Sequence, residues 1–264
     1  MKIITTRRPI LSNKWAIQAR EIWQRNNEWD SVPPFTKELP ANIKYVVVDV
    51  KPHVWKKKSD NHQGRIVEIA WRVFCDEGNC LVSKQYLLKP HGYNQIAPKS
   101  TRVHGITTTL AVNHGSNANK VFDEFTAILA MLPNNGFVIA YRMLFEDSIF
   151  MCNLSEKQKI IWNNAPKCDI YSTTLWKYLP SEKMKMFKRQ THFPYKTFHL
   201  KLTDLHNIVF PSRKSCSDFA QMAGADVEMT WDVFKYYKVH ASRAELQWKT
   251  HCTGAQTDIR RFTN

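Results

Sequence analysis

The sequence has no apolar run near the ~18 residues that span a bilayer, so no membrane helix is expected. Its opening stretch, MKIITTRRPI, lacks a secretory hydrophobic segment. An intracellular protein, cytoplasmic or nuclear, is therefore the expectation. None of its six cysteines forms a CxxC pair, so reduced and mostly buried thiols are expected. A zinc site drawn from Cys75, Cys80 and His62 would have poor spacing. No internal repeat or low-complexity segment stands out. Acids are also scarce: 23 Asp and Glu stand against 38 Lys and Arg, a formal charge of +15. That excess favours a polyanion as partner, nucleic acid foremost.

What is present is core material. Hydrophobic residues make up 43% of the 264-residue chain, and nine are Trp. Such a chain suits one large domain, or one domain with extensions. The basic residues cluster. Lys56, Lys57 and Lys58 form one run. Lys183, Lys185, Lys188 and Arg189 crowd another, with Lys196 and Lys201 following and Phe187, Phe193, Tyr195 and Phe198 interleaved. Aromatics among cations suit single-stranded nucleic acid, where bases stack and phosphates pair.

Three parts are expected along the chain. Residues 1–42 read as an N-terminal extension. Ser12 or Asn13 can cap a helix with Trp15, Ala19, Ile22 and Trp23 on one stripe, and Pro33, Pro34 and Pro40 then break it. Residues 43–240 carry the main domain. IKYVVVDV, GRIVEIAWRVF and CLVSKQYLL read as three strands of an antiparallel meander, and GFVIAY as a further buried strand. KVFDEFTAILAML, SEKQKIIWNN, KLTDLHNIVF and SDFAQMAGADVEMTWDVFKYY read as helices, the second with Ser155 and Gln158 at capping-box spacing. Residues 89–107 read as a loop. This order describes an α/β domain with a mixed sheet flanked by helices. Residues 241–264 read as a basic tail with a short helix.

Several of these segments, in order, carry a resemblance. The strand VVVDVK stands where a hydrophobic strand would end in Asp-x-Glu. RIVEIAW resembles IIEIAAV. The loop KPHGYNQIAPKSTRVHGIT ends in the vHGIt pattern. VIAYRMLFED resembles VAHNxxFD, LKLTDL a kLxxL helix start, and QMAGAD the closing HxAxxD. Together they make residues 43 to about 238 resemble the DEDDh-type 3′→5′ exonucleases, which implies the ribonuclease-H-like fold. In that family four carboxylates hold two divalent metals, Mg²⁺ or Mn²⁺, and a histidine is the general base.

The resemblance carries over to the site only in part. Asp49, Glu146 and Asp226 fall at three of the acid positions, with Asp147 the alternative to Glu146 if the register slips. Lys51 stands at the fourth. An ammonium has three donors and no acceptor and cannot ligate a metal. Gln221 stands at the base position and cannot take up a proton near neutral pH. The family's second branch uses a Tyr, and Met222 stands there. Lys51 is therefore expected to pair with Asp49, Glu146 or Asp226 inside the former metal site. His104 and Arg142 fall in the segments that the resemblance places near substrate, although His104 suits a structural hydrogen bond equally well. His192, His199 and His206 suit surface and helix positions better than a metal site.

Three functional readings follow. The first is a catalytically degenerate exonuclease-like protein that needs no cofactor. It binds DNA or RNA, single-stranded by preference, mainly through phosphates, with Lys56, Lys57, Lys58, His104, Arg142, Lys183, Lys185, Lys188 and Arg189 as candidate contacts. The second is a residual Mg²⁺- or Mn²⁺-dependent 3′→5′ exonuclease. The third is a protein-interaction protein that keeps only the fold, with the N-terminal extension as a partner site. The divergent motifs and added termini would suit a viral homologue.

Overall fold

A computed structural model describes residues 42–54, 64–91, 94–182, 184–185, 200–211 and 222–248. The N-terminal helix, Lys56, Lys57, Lys58, Lys183, Lys188, Arg189, His192, His199, Gln221 and the end of the basic tail lie outside the described residues.

Five strands form one sheet in the order β3-β2-β1-β4-β5. They are β1 (Tyr45–Val54), β2 (Gly64–Phe74), β3 (Cys80–Leu87), β4 (Phe137–Ala140) and β5 (Lys167–Asp169). β1, β2 and β3 run antiparallel, and β4 and β5 run parallel to β1. The expected meander and mixed sheet are both present. β1 lies at the centre, which explains its unbroken apolar run: both of its faces are covered.

The helices are α1 (Pro98–His104), α2 (Thr108–His114), α3 (Ala118–Ala130), α4 (Met143–Asn153), α5 (Glu156–Asn164), α6 (Leu202–Val209), α7 (Ala223–His240) and α8 (Arg243–Leu246), with a 3₁₀ helix at Thr173–Tyr178. The Ser155–Gln158 capping box forms as its spacing predicts. The segment expected to be a loop at 89–107 instead contains α1. Pro98 opens that helix and Gly105 ends it in the left-handed conformation (φ 75°), where a side chain would be strained. The short α2, the short β5 and all of α4 carry too weak a periodicity to be read beforehand. None of the described helices is long and apolar enough to cross a membrane.

Strand alternation divides the core. Val46, Val48 and Val50 join Phe125, Phe150 and Trp162 on one side of the sheet. Tyr45 and Val47 join Leu205, Val227 and Phe234 on the other. Successive side chains of a strand point to opposite faces. The odd-numbered positions of β1, Asp49 and Lys51 included, therefore belong to the face that packs on α7.

Cys75 and Cys168 are buried free thiols, as expected, whereas Cys152 is half-buried and Cys80 is exposed near the turn that opens β3. Past the main domain, α8 starts with a capping box of Ser242 and Glu245. The Trp248 amide then donates to the Lys167 carbonyl on β5 (2.7 Å), so this part of the basic tail lies along the sheet edge.

Candidate functional site

The structure brings four charged side chains from three elements to one buried place. Asp49 and Lys51 come from β1, Glu146 from the first turn of α4, and Asp226 from the first turn of α7. Each is at most 8% exposed. Asp147, the next residue on α4, accepts a hydrogen bond from the Trp162 indole (2.8 Å). It is thereby turned towards α5, and Glu146 is the acid that meets the others.

Lys51 sits between two of the acids. Its ammonium donates to Asp226 Oδ2 and lies 2.8 Å from Asp49 Oδ2. The Asp49 contact is close but poorly aligned, and Asp49 Oδ2 has no directed hydrogen bond. Burial alone would lower the Lys51 pKa. The nearby Asp226 and Asp49 carboxylates outweigh it and raise the value, so this lysine stays charged.

The acids respond in the opposite sense. Burial pushes Asp49 up to about 7, against the pull of Lys51 and with a further push from Asp226. Burial also raises Glu146 well above the ordinary carboxylate range; Asp49 adds to this, while Lys51 and the Val50 backbone amide oppose it. Glu146 Oε2 has no hydrogen-bond partner. One cation thus serves Asp49 and Asp226, while Glu146 is held towards its neutral form. Leaving three ionised carboxylates buried together without a cation would be far costlier.

The cluster does not fit a metal pair. Among the described residues, no three His, Cys, Asp or Glu side chains are placed to hold a metal ion. The Lys51 ammonium occupies the space between Asp49 and Asp226.

A fifth buried acid escaped the sequence reading. Glu68 lies opposite Lys51 in the β1–β2 register and is fully buried. It accepts hydrogen bonds from the Gln85 amide (2.7 Å) and from the Ala223 backbone N–H (3.2 Å). Ala223 opens α7, so Glu68 satisfies a donor at that helix's N-terminus and ties it to β2. A carboxylate in the middle of the apolar run RIVEIAW was the available signal.

Asp169 was also missed. It accepts from the backbone N–H groups of Arg142 and Tyr171, each at 2.9 Å. Burial raises its pKa to about 6 against the pull of those amides. The Arg142 it holds has φ 65° and is the only non-glycine residue with positive φ among the described residues.

The remaining candidates are spread around this centre. His104 is buried at the end of α1, and its Nδ1 accepts from the Ile106 amide (3.1 Å). Lys185 is exposed and pairs with Glu182 (2.9 Å). His206 is a helix histidine, but a buried one, with Nε2 3.3 Å from Asp232 Oδ2.

No protein-family model matches the sequence, and no curated protein matches it. Solved structures do match. The chain is similar to E. coli exonuclease I in complex with a dA16 oligonucleotide, at 16% identity and a TM-score of 0.53. It is similar to the same enzyme in complex with a dT13 oligonucleotide, at 16% identity and a TM-score of 0.52. A further exonuclease I structure matches at 16% identity with a TM-score of 0.56. Each match covers 74% of this chain and 41% of the solved one, so the chain spans less than half the length of exonuclease I. Likeness at this identity is a likeness of fold. The mixed sheet with its flanking helices is the ribonuclease-H-like exonuclease fold that the motif order implied.

Proposed function

We propose that this chain is a catalytically degenerate exonuclease-like protein that binds single-stranded nucleic acid through its phosphates. The observation that carries this reading is the Lys51 ammonium between Asp49 and Asp226. Two-metal phosphodiester cleavage needs acceptors around two cations ~4 Å apart. Here a fixed organic cation stands among the acids, and it offers only donors. The formal charge of +15 supports a polyanionic partner. The solved exonuclease I complexes contain single-stranded oligonucleotides, which supports an unpaired strand as that partner. Lys56, Lys57, Lys58, Lys183, Lys185, Lys188 and Arg189 are the proposed phosphate contacts, with His104 and Arg142 nearer the acid cluster.

A titration with a labelled oligonucleotide at several salt concentrations tests this, run beside a nuclease assay in Mg²⁺ and in Mn²⁺. Phosphate contacts release counterions, so affinity should fall steeply with salt, by about 0.7 logarithmic units per contact per decade for a single strand. Replacing Lys183, Lys185, Lys188 and Arg189 together by Ala should flatten that slope. Salt-independent affinity would overturn the phosphate reading. Metal-dependent shortening of the oligonucleotide would overturn the degenerate reading in favour of a residual exonuclease. Absence of binding at low salt would leave a protein-interaction role on the same fold.

A further inference from the structure

We propose that Arg142, Tyr171 and Trp176 form a stacking platform for an unpaired nucleobase, one helical turn from the acid cluster. The proposal rests on the nucleic-acid reading above and adds the place where a base is held.

The backbone comes first. Arg142 precedes α4 with φ 65° and ψ 60°, and no side-chain cap bond relieves that helix start. A non-glycine residue there is strained by about 1–2 kcal/mol. Such residues persist where their surroundings over-determine them, and they gather at functional sites. Here the restraint is Asp169. One carboxylate oxygen accepts from both the Arg142 and the Tyr171 amides, which locks the turn after β4 to the turn after β5.

The side chains follow from that lock. The Arg142 guanidinium lies 5.3 Å above the Tyr171 ring centre. The Tyr171 ring meets Trp176 edge-on at 5.6 Å and Tyr141 edge-on at 5.3 Å. The Tyr141 hydroxyl donates to the Leu200 carbonyl, so that ring is anchored to the chain leading into α6. Arg142, Tyr171 and Trp176 each keep part of their surface in solvent. The platform also abuts the acid cluster, because the Arg142 carbonyl accepts the Glu146 amide (3.3 Å).

A planar, always-charged guanidinium held over an aromatic ring suits a nucleotide. The flat groups stack on a base, and the charge pairs with a neighbouring phosphate. Bases in a duplex are already stacked on one another, so the platform favours an unpaired strand. The excess of cations in the chain gives that strand a reason to arrive.

The test uses the full chain and two oligonucleotides of equal length and charge, one with bases and one abasic. Wild type should bind the base-containing strand about tenfold more tightly. Tyr171→Leu and Trp176→Leu should each reduce that preference towards unity and leave the affinity for the abasic strand unchanged. Equal affinity of wild type for both strands, or a preference that survives both substitutions, would overturn the platform and leave phosphate binding intact. Failure of wild type to bind either strand at low salt would overturn both readings. Should a substituted chain fail to fold, photocrosslinking of wild type to a 5-iodouracil strand decides: adducts on Tyr171 or Trp176 support the platform, and adducts confined to other residues overturn it.

Discussion

Lys51 and Asp226 form a buried ion pair although 175 residues separate them. The pair joins the central strand to the helix packed against it. It places a permanent positive charge in a pocket otherwise lined by carboxylates, and its removal should be felt in a pH-dependent way.

Lys51→Met removes the cation and keeps much of the side-chain volume. Breaking a buried pair from one side costs roughly 3–5 kcal/mol. The sign of the pH dependence follows from the acids. Burial raises Asp49 to about 7 and Glu146 well above the carboxylate range. The folded chain therefore binds protons more tightly than the unfolded chain between the ordinary carboxylate value and those raised values. Stability from these groups is lost as pH rises through the folded values. Without Lys51 they rise further, because Lys51 lowers both. Urea unfolding should show the full cost at pH 8 and a smaller one at pH 5. Equal costs at the two pH values would mean that Lys51 does not hold the acids ionised.

Lys51→Glu should create metal dependence. Four carboxylates would then converge, repelling one another without a cation. The variant should melt well below wild type in chelator. Mn²⁺ at ~100-fold its dissociation constant should recover about 5–10 °C, with no comparable shift in wild type. Adding Gln221→His supplies the base that the exonuclease resemblance assigns to that position. Weak Mn²⁺-dependent 3′→5′ trimming is expected of the double variant only, since metal and base act together. A Lys51→Glu melt indifferent to Mn²⁺ would refute convergence of these side chains.

Glu68→Ala should destabilise the fold by about 2–4 kcal/mol, because it strands the buried Gln85 amide and the Ala223 N–H. Glu68→Gln keeps one acceptor and should cost less. Chemical denaturation of the two variants compares them directly. An Ala variant as stable as wild type would remove Glu68 from the attachment of α7 to β2.

Asp169→Ala should cost about 2–4 kcal/mol by releasing the Arg142 and Tyr171 amides. In an Arg142→Gly background the same change should cost roughly 1 kcal/mol less, since glycine adopts a positive φ without restraint. A double-mutant cycle reads this coupling. Strict additivity would show that Asp169 does not hold the strained turn.

Local chemistry made much of this protein legible in advance. The apolar runs marked β1 to β4, the Ser155–Gln158 spacing marked the start of α5, and the helical stripe in KVFDEFTAILAML marked α3. Each is a short-range pattern that tertiary contacts only reinforce. The elements that went unread, α1, α2, α4 and β5, are short or weakly amphipathic, and their existence rests on what they pack against.

The candidate site divides along the same line. From the sequence alone, Asp49 and Lys51 must share a face of one strand, because strand side chains alternate. The missing acid and the missing base are also plain there, as residue types that cannot perform those roles. Only the tertiary structure decided which carboxylates Lys51 would meet and that Glu146 rather than Asp147 would join them. It alone revealed Glu68 tying down the helix that carries Asp226, and Asp169 holding Arg142 against its own backbone preference. Those relations join residues between 25 and 180 positions apart. No local propensity reaches that far. They exist because burying the two faces of one sheet forces α4 and α7 to converge beside β1, and charges brought together in so dry a place must find partners.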